Sequence, residues 1–346
     1  MNKKGKIRFA VVGCGNIGQR HVAVIDMDEK AELVAVCDVK EPLLEKLNHD
    51  YKVKTYTNYD ELLKNEDFDI VCICTPHGLH ADMSIAAARS GKHILVEKPM
   101  ALTPDSAKKM IAEAESNGVK LYVVKQNRYN KPILLVKKAL DENRLGKILM
   151  VQANVLWNRH QRYYEESPWR GKKLTEGGVL HTQVSHFLDL LLWWFGDVTE
   201  AVSLYDTLNH KIEIEDCGVA ALRFKNGAIG SLNWTTCAYN ANYEGSITIL
   251  GEFGTVKIGG RYLNKIEHWD VQSYPLPENE DFTDTPNIYA HYQGSSSNHD
   301  KLIDDLIRQI IEDRNGVVEG SEGYRSIAAI EKIYEKKLEH VETVTL

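Results

Sequence analysis

Residues 7–18 read Ile-Arg-Phe-Ala-Val-Val-Gly-Cys-Gly-Asn-Ile-Gly. Ile7–Val12 is a short apolar run without strict alternation, the pattern of a strand buried on both faces. Gly13, Gly15 and Gly18 complete G-x-G-x-x-G, and a helical pattern follows through His21–Met27. Glycine triplets also occur in ordinary turns, so the string carries weight only because a strand precedes it and a helix follows. In that setting Gly13 permits the tight turn, Gly15 lets the backbone approach a pyrophosphate, and Gly18 allows close helix–strand packing. The first helical turn, with Asn16 and Ile17, offers unpaired N–H groups and a positive dipole end to phosphates. A dinucleotide-binding βαβ unit is the prediction.

Outward from this stretch, the runs Leu33–Cys37, Ile70–Cys74, His93–Val96 and Leu121–Val124, with a weaker one at Val53–Tyr56, continue the pattern. Helical spacing lies between them, as at Met83–Arg89 and Ser106–Ala114. The series predicts an α/β fold with a doubly wound parallel sheet, a Rossmann domain over residues 1–125. Asp38 ends the second strand about 20 residues after Gly18, where a carboxylate accepts from ribose hydroxyls and repels a 2′-phosphate. That favours NAD over NADP; the alternative is a solvated turn aspartate.

Thr75-Pro76-His77 and Glu97-Lys98-Pro99 each follow a strand, so both lie at the carboxyl edge of the sheet, where ligands bind. Thr75 can hydrogen-bond the cofactor while Pro76 shapes the turn. His77 and His80 serve either the cofactor or the loop. Lys98 has two readings. It shuttles a proton from a substrate hydroxyl if burial or a positive neighbour lowers its pKa, or it is a surface lysine paired with Glu97.

Beyond Val124 the pattern changes. A helix is expected from Pro132 to about Asn143 and a strand at Ile148–Leu156, then a polar, aromatic loop over Trp157–Lys173. Val179–Phe195 reads as a buried helix ended by Gly196. Strand-like runs follow at Val202–Tyr205, Gly218–Phe224, Ala228–Thr235, Ser246–Leu250 and Thr255–Ile258, with a hairpin turn at Lys225-Asn226-Gly227. Consecutive strands without intervening helices predict a mainly antiparallel sheet. An acidic loop at Pro275–Pro286 and helices near Lys301–Glu312 and Tyr324–Leu338 complete the chain. A second domain over residues 126–346 suits a length of 346 residues, about twice that of a usual domain.

Hydrophobic residues at 43% and charged residues at 26% suit a globular core. A net charge of -7 without a long basic block argues against nucleic acid or an anionic membrane as partner. The cysteines, Cys14, Cys37, Cys72, Cys74, Cys217 and Cys237, show no zinc-site spacing, so small apolar residues of a reduced protein are expected and no metal. The apolar run after the basic N-terminus is too short for a signal peptide, and nothing approaches the ~20 apolar residues of a membrane span. A cytoplasmic location is the expectation.

The fingerprint Gly13–Gly18, Thr75-Pro76-His77, Glu97-Lys98-Pro99 and the stretch Gly177-Gly178…His186…Asp189 together resemble the Gfo/Idh/MocA oxidoreductases over essentially the whole chain. The resemblance implies a Rossmann domain followed by an α/β domain with a large open, mostly antiparallel sheet, and a homodimer or homotetramer. It also implies that Lys98 and His186 flank the reacting carbon as catalytic residues. Read by its pattern alone, His186 on an apolar helix is more often a core residue. Many members carry an aspartate four residues before this histidine; here Thr182 stands there, with Gln183 beside it. That shifts the proton-transfer role toward Lys98. Asp189 either orients His186 or makes an ordinary polar contact.

Thr182-Gln183, Lys125-Gln126-Asn127-Arg128-Tyr129 and the Tyr163-Tyr164…Trp169-Arg170-Gly171 stretch resemble one branch of that family. This branch comprises the dehydrogenases that oxidise UDP-N-acetylglucosaminuronic acid at the sugar C3 hydroxyl. The resemblance assigns Asn127, Arg128, Arg159, Tyr163, Thr182, Gln183, Lys98 and His186 to the substrate and Gln126, Glu97 and Lys98 to the cofactor. Trp169 and Arg170 serve NAD or sugar. The chemistry agrees: Arg128, Arg159, Arg162 and Arg170 suit a uronate or diphosphate, and Tyr163, Tyr164 and Trp169 can stack on a ring. The alternatives are an inositol or simple-sugar dehydrogenase, and a non-catalytic NAD-binding regulator.

Overall fold

In the computed structural model, which describes residues 5–277, 286–289, 292–312, 314 and 316–338, Ile7–Val12 forms strand β1 and Asn16–Met27 forms helix α1. The alternation continues through β2 (Ala31–Cys37), α2 (Glu41–Tyr51), β3 (Lys54–Tyr56), α3 (Tyr59–Asn65) and β4 (Ile70–Ile73). It ends with α4 (His80–Arg89), β5 (His93–Val96), α5 (Pro104–Ser116) and β6 (Leu121–Val123). Helix α5 starts where the sequence chemistry dictates: the Thr103 hydroxyl accepts the Ser106 N–H at 3.1 Å and Pro104 occupies the first turn.

All six strands are parallel in the order β3-β2-β1-β4-β5-β6. The order reverses between β1 and β4, and a crevice for a ligand opens at the carboxyl ends of the strands flanking such a reversal. Phe9, Val11 and the whole of β4 are buried, which is why these strands read as continuous apolar runs.

The second sheet is built from β7 (Ile148–Leu156), β8 (Val198–Asp206), β9 (Cys217–Phe224), β10 (Ile229–Thr235), β11 (Glu244–Gly251), β12 (Gly254–Gly259) and β13 (Lys265–Val271). Its order is β13-β12-β11-β7-β10-β9-β8; β7 and β10 pair in parallel and every other pair is antiparallel. Helix α6 (Lys131–Asp141) precedes β7, and α7 (Gln161–Glu165) and α8 (Ser185–Phe195) lie between β7 and β8. Ala153, Ala220, Leu232 and Ile247 turn inward onto α8 residues such as Phe187, Leu190 and Leu191. The hairpin at Lys225-Asn226-Gly227 joins β9 and β10, with Gly227 at φ 92°. The last elements are the pair β14 (Pro286–Tyr289) and β15 (Tyr292–Ser296), then α9 (His299–Glu312) and α10 (Gly320–Glu335).

The chain divides into two compact units. The first takes Met1–Tyr129, Leu174–Gly177 and Ser295–Ile327; the second takes Asn130–Lys173, Gly178–Gly294 and Ala328–Leu346. Within the first, α9 buries Leu302, Ile303, Leu306 and Ile307 among Val22, Ile25 and other core residues. The sequence reading gave no strand at β13, β14 or β15, and two expected segments also differ. The expected loop Trp157–Lys173 contains α7, and the expected single helix Val179–Phe195 begins with a π-helical turn, Leu180–Val184. Of the acidic loop Pro275–Pro286, residues 278–285 lie outside the described residues. Among the described residues, no helix is long and apolar enough to cross a membrane.

Candidate active site

The fingerprint turn is held by contacts that only glycine allows. Gly13 has φ 82°, and a Cβ there would fall 2.7 Å from the Cys74 carbonyl; one on Gly18 would fall 1.9 Å from Gly13 O. A Cβ on Gly15 would meet nothing within 4 Å, and Gly15 and Asn16 are exposed, with Ile17 half-buried behind them. No side chain caps the start of α1, so its first-turn N–H groups remain available to an anion. Asp38 is tied into the same turn: its carboxylate accepts the Cys14 N–H at 2.7 Å and the Lys40 N–H at 3.0 Å. These features fit the pyrophosphate and ribose of a dinucleotide.

The turns after β4 and β5 are stitched together. His80 is buried, with its ring nitrogens 2.9 Å from Thr75 O and 2.7 Å from Pro99 O. Burial holds its pKa below the usual histidine range, so a neutral ring donates to one carbonyl at a time. Its nitrogens are thus spent on the backbone of the two turns. Thr75, Pro76 and His77 are half-buried, and His77 Nδ1 lies 3.0 Å from the carbonyl of Glu176.

Glu97 is buried at the end of β5. Its Oε1 lies 2.9 Å from Nε2 of His21 and 3.4 Å from Nε2 of His299, while Oε2 accepts the Lys98 N–H at 3.2 Å. Burial by itself raises this carboxyl, but the hydrogen bonds from His21 and His299 outweigh it and hold the group well below the usual range. Glu97 therefore stays ionised and clamps the backbone of half-buried Lys98. Gln126 and Asn127 are buried in a short turn after β6, and Arg128 bonds Glu322 at 2.7 Å.

In the second unit, Arg159, Tyr163, Trp169 and Arg170 come together. The Tyr163 ring has the Arg170 guanidinium 4.0 Å and the Arg159 guanidinium 5.3 Å from its centre, and Trp169 lies 5.6 Å from Arg170. Arg170 also donates to Tyr163 O at 3.1 Å. Arg162 stands apart, exposed and paired with Glu166 one turn on.

Thr182 and Gln183 fall in the π-helical turn, a device often found at functional sites, and His186 follows one residue into α8. All three are buried, as is Asp189. Thr182 Oγ1 lies 3.0 Å from Gly178 O and also contacts Gln183 Oε1. The turn is anchored by Glu215, whose Oε1 accepts the Leu180 N–H at 3.1 Å and the Tyr334 hydroxyl at 2.7 Å.

Residues 7–125 match an oxidoreductase family described as an NAD-binding Rossmann fold, and residues 137–346 match the C-terminal alpha/beta domain of the same family. The chain belongs to the Gfo/Idh/MocA oxidoreductase family. Among solved members, the WlbA dehydrogenase from Bordetella pertussis in complex with NADH and UDP-GlcNAcA is 38% identical, with TM-score 0.87 and 96% of each chain covered. The corresponding complex from Chromobacterium violaceum is 36% identical, with TM-score 0.89, over 96% of this chain and 94% of that one. The myo-inositol 2-dehydrogenase of Thermotoga maritima is 27% identical over 72% of this chain and 74% of its own length. Against another curated relative, 29% identical, the chain spans 62% of that protein's length.

As a Gfo/Idh/MocA oxidoreductase the protein uses NAD, and the open start of α1 with Asp38 beside it suits that cofactor. Reading the sequence singled out neither His21 nor His299 as a partner of Glu97. His21 sits three residues after Gly18 on α1 and carried a faint signal; His299, far along the chain, carried none. Glu215 and His181, whose ring stacks on Tyr334 at 5.9 Å, were missed for the same reason.

Proposed function

We propose that this chain oxidises the C3 hydroxyl of the sugar in UDP-N-acetylglucosaminuronic acid to a ketone, with NAD as cofactor, in nucleotide-sugar metabolism serving surface polysaccharide. The observation that carries this reading is the near full-length match, at 36–38% identity, to two dehydrogenases bound to NADH and UDP-GlcNAcA. Thr182-Gln183 in place of the usual aspartate supports it, as does the stack of Arg159, Tyr163 and Arg170. Two guanidinium groups about a tyrosine ring suit a carboxylate or diphosphate next to a sugar.

When bound, NAD supplies the hydride acceptor. The chain's own residues do the rest. Lys98 takes the hydroxyl proton, its backbone fixed by the Glu97 carboxylate, and His186 hydrogen-bonds the same hydroxyl. Much of the rate comes from holding these groups in place before reaction. Residues 1–125 hold the cofactor and residues 126–346 the substrate.

The protein acts in the cytoplasm as a homodimer or homotetramer. One face of the second sheet supports the assembly: Val202, Leu204, Val219 and Ile229 are exposed, opposite the inward-facing Ala220 and Leu232. Light scattering coupled to size exclusion tests this, and a monomer at micromolar concentration would exclude it.

A polyol dehydrogenase is the second reading, favoured by the match to the Thermotoga maritima enzyme. Thermal-shift and absorbance screening with UDP, UDP-sugars and free polyols separates the two. Stabilisation by UDP with NADH formed from UDP-N-acetylglucosaminuronic acid is expected. A response to polyols alone would overturn the proposal.

A further inference from the structure

We propose that His210, Asp216 and Cys237, in the second unit, form a binding site for a borderline-soft divalent cation, with zinc as the best chemical fit. His210 lies in the bend after β8, Asp216 directly precedes β9, and Cys237 lies two residues beyond β10. No linear spacing announces them, which is why the cysteines read as metal-free in the sequence.

The argument begins with the tautomer of His210. Its Nε2 lies 2.7 Å from the carbonyl oxygen of Arg159, which can only accept, so this nitrogen carries the hydrogen. In the neutral ring Nδ1 is then the lone-pair side. It faces Asp216 Oδ2 at 3.0 Å and Cys237 Sγ at 3.7 Å. The three donor atoms all lie within 4.8 Å of one another. The Nδ1 lone pair and the Asp216 carboxylate, 3.0 Å apart, repel each other unless a cation or a hydrogen lies between them, and Cys237 Sγ stands beside them as a third ligand atom.

Several features favour the metal. A metal-bound histidine almost always donates its other N–H to a carbonyl or carboxylate, as His210 does to Arg159. With zinc–nitrogen, zinc–oxygen and zinc–sulfur bonds of about 2.0–2.3 Å, tetrahedral donors sit about 3.4 Å apart for N and O and about 3.6 Å for N and S, close to the arrangement here. Asp216 is fixed in advance, accepting the N–H groups of Leu208, Asn209 and His210 at 2.8, 2.9 and 2.8 Å. Binding would release the Cys237 thiol proton to solvent. Cys237 is half-buried and His210 borders a surface cleft of about 540 Å³ lined by Gln161, Tyr164 and Lys211, so an ion has a way in.

The other mixed cluster, His21, Glu97 and His299, lacks this support. Nδ1 of both histidines has no hydrogen-bond partner among the described residues, so the outer shell of a metal site is missing there.

The test uses the purified full chain, stripped with a chelator and titrated first with zinc alone, then with cobalt(II) alone as a spectroscopic probe. One ion per chain and a cobalt–thiolate charge-transfer band are expected. Cys237→Ser should abolish the band and weaken zinc by more than the roughly 10–100-fold that a lost outer-shell partner costs. His210→Gln should weaken zinc likewise, with circular dichroism confirming that both variants fold. Failure of the folded wild-type chain to bind either ion would overturn the proposal and leave a His210–Asp216 hydrogen bond. Zinc binding by Cys237→Ser as tight as wild type would overturn it too.

Discussion

Oε1 of Glu97, at the end of β5, lies 2.9 Å from Nε2 of His21 on the helix that follows the glycine fingerprint. The other oxygen of the same carboxylate holds the Lys98 N–H. One buried charge thus ties the proposed proton acceptor to the proposed pyrophosphate-binding helix, with His299 of α9 closing the group. Removing it has two separable effects. Glu97→Ala leaves the buried histidines without their acceptor and should cost about 1–3 kcal/mol in chemical denaturation. Glu97→Gln keeps the shape and should fold, with kcat lowered ~10–100-fold through a displaced Lys98 and KM for NAD little changed. Equal loss in kcat and NAD affinity would show that the carboxylate does not act through the lysine.

Lys98→Ala should lower turnover by about 100-fold or more while NAD binding, measured by fluorescence or calorimetry, stays nearly intact. An alanine variant with near wild-type turnover would remove Lys98 from the mechanism.

Asp38 is the proposed determinant of cofactor choice. Its carboxylate is held by Cys14 N–H and Lys40 N–H at the end of β2, where a 2′-phosphate would meet it. Asp38→Asn keeps an acceptor for those N–H groups and removes the charge. The ratio of kcat/KM for NADP to that for NAD should rise at least ~10-fold, about 1.4 kcal/mol. An unchanged ratio would place the discrimination elsewhere.

Burial pushes the Glu215 carboxyl from 4.5 up to about 7. Between those values the folded protein keeps a proton that the unfolded chain has released. Its contribution to stability is therefore full at low pH and lost as pH rises through 7, by about 3 kcal/mol in all. Glu215→Gln, a neutral isostere that still accepts from Leu180 N–H and Tyr334, escapes this loss. Its Tm relative to wild type should climb between about pH 5 and pH 8. Parallel Tm–pH curves would contradict the buried, protonated carboxyl.

Particular elements show what a sequence reveals here. β1 and β5 match their apolar runs residue for residue, because strands buried on both faces read as near-continuous apolar runs, broken here only by half-buried Arg8 and His93. Helices α2 and α3 gave little signal, since they bury only Leu44 with Leu47 and only Leu62. The π-helical turn at Leu180–Val184 was hidden because a fully buried segment has no exposed face to mark its period. In the fingerprint turn, Gly13 and Gly18 were legible because their chemistry is local. The partners of Glu97, and the meeting of His210 with Cys237, depend on tertiary folding that no short window records.

The most direct test places deuterium at C3 of the sugar in UDP-N-acetylglucosaminuronic acid and follows it with the wild-type chain and NAD. Mass spectrometry should find the deuterium on the reduced nicotinamide and a 3-keto sugar nucleotide as its partner. Reduced cofactor without deuterium, or none formed while a free polyol is oxidised readily, would contradict the account.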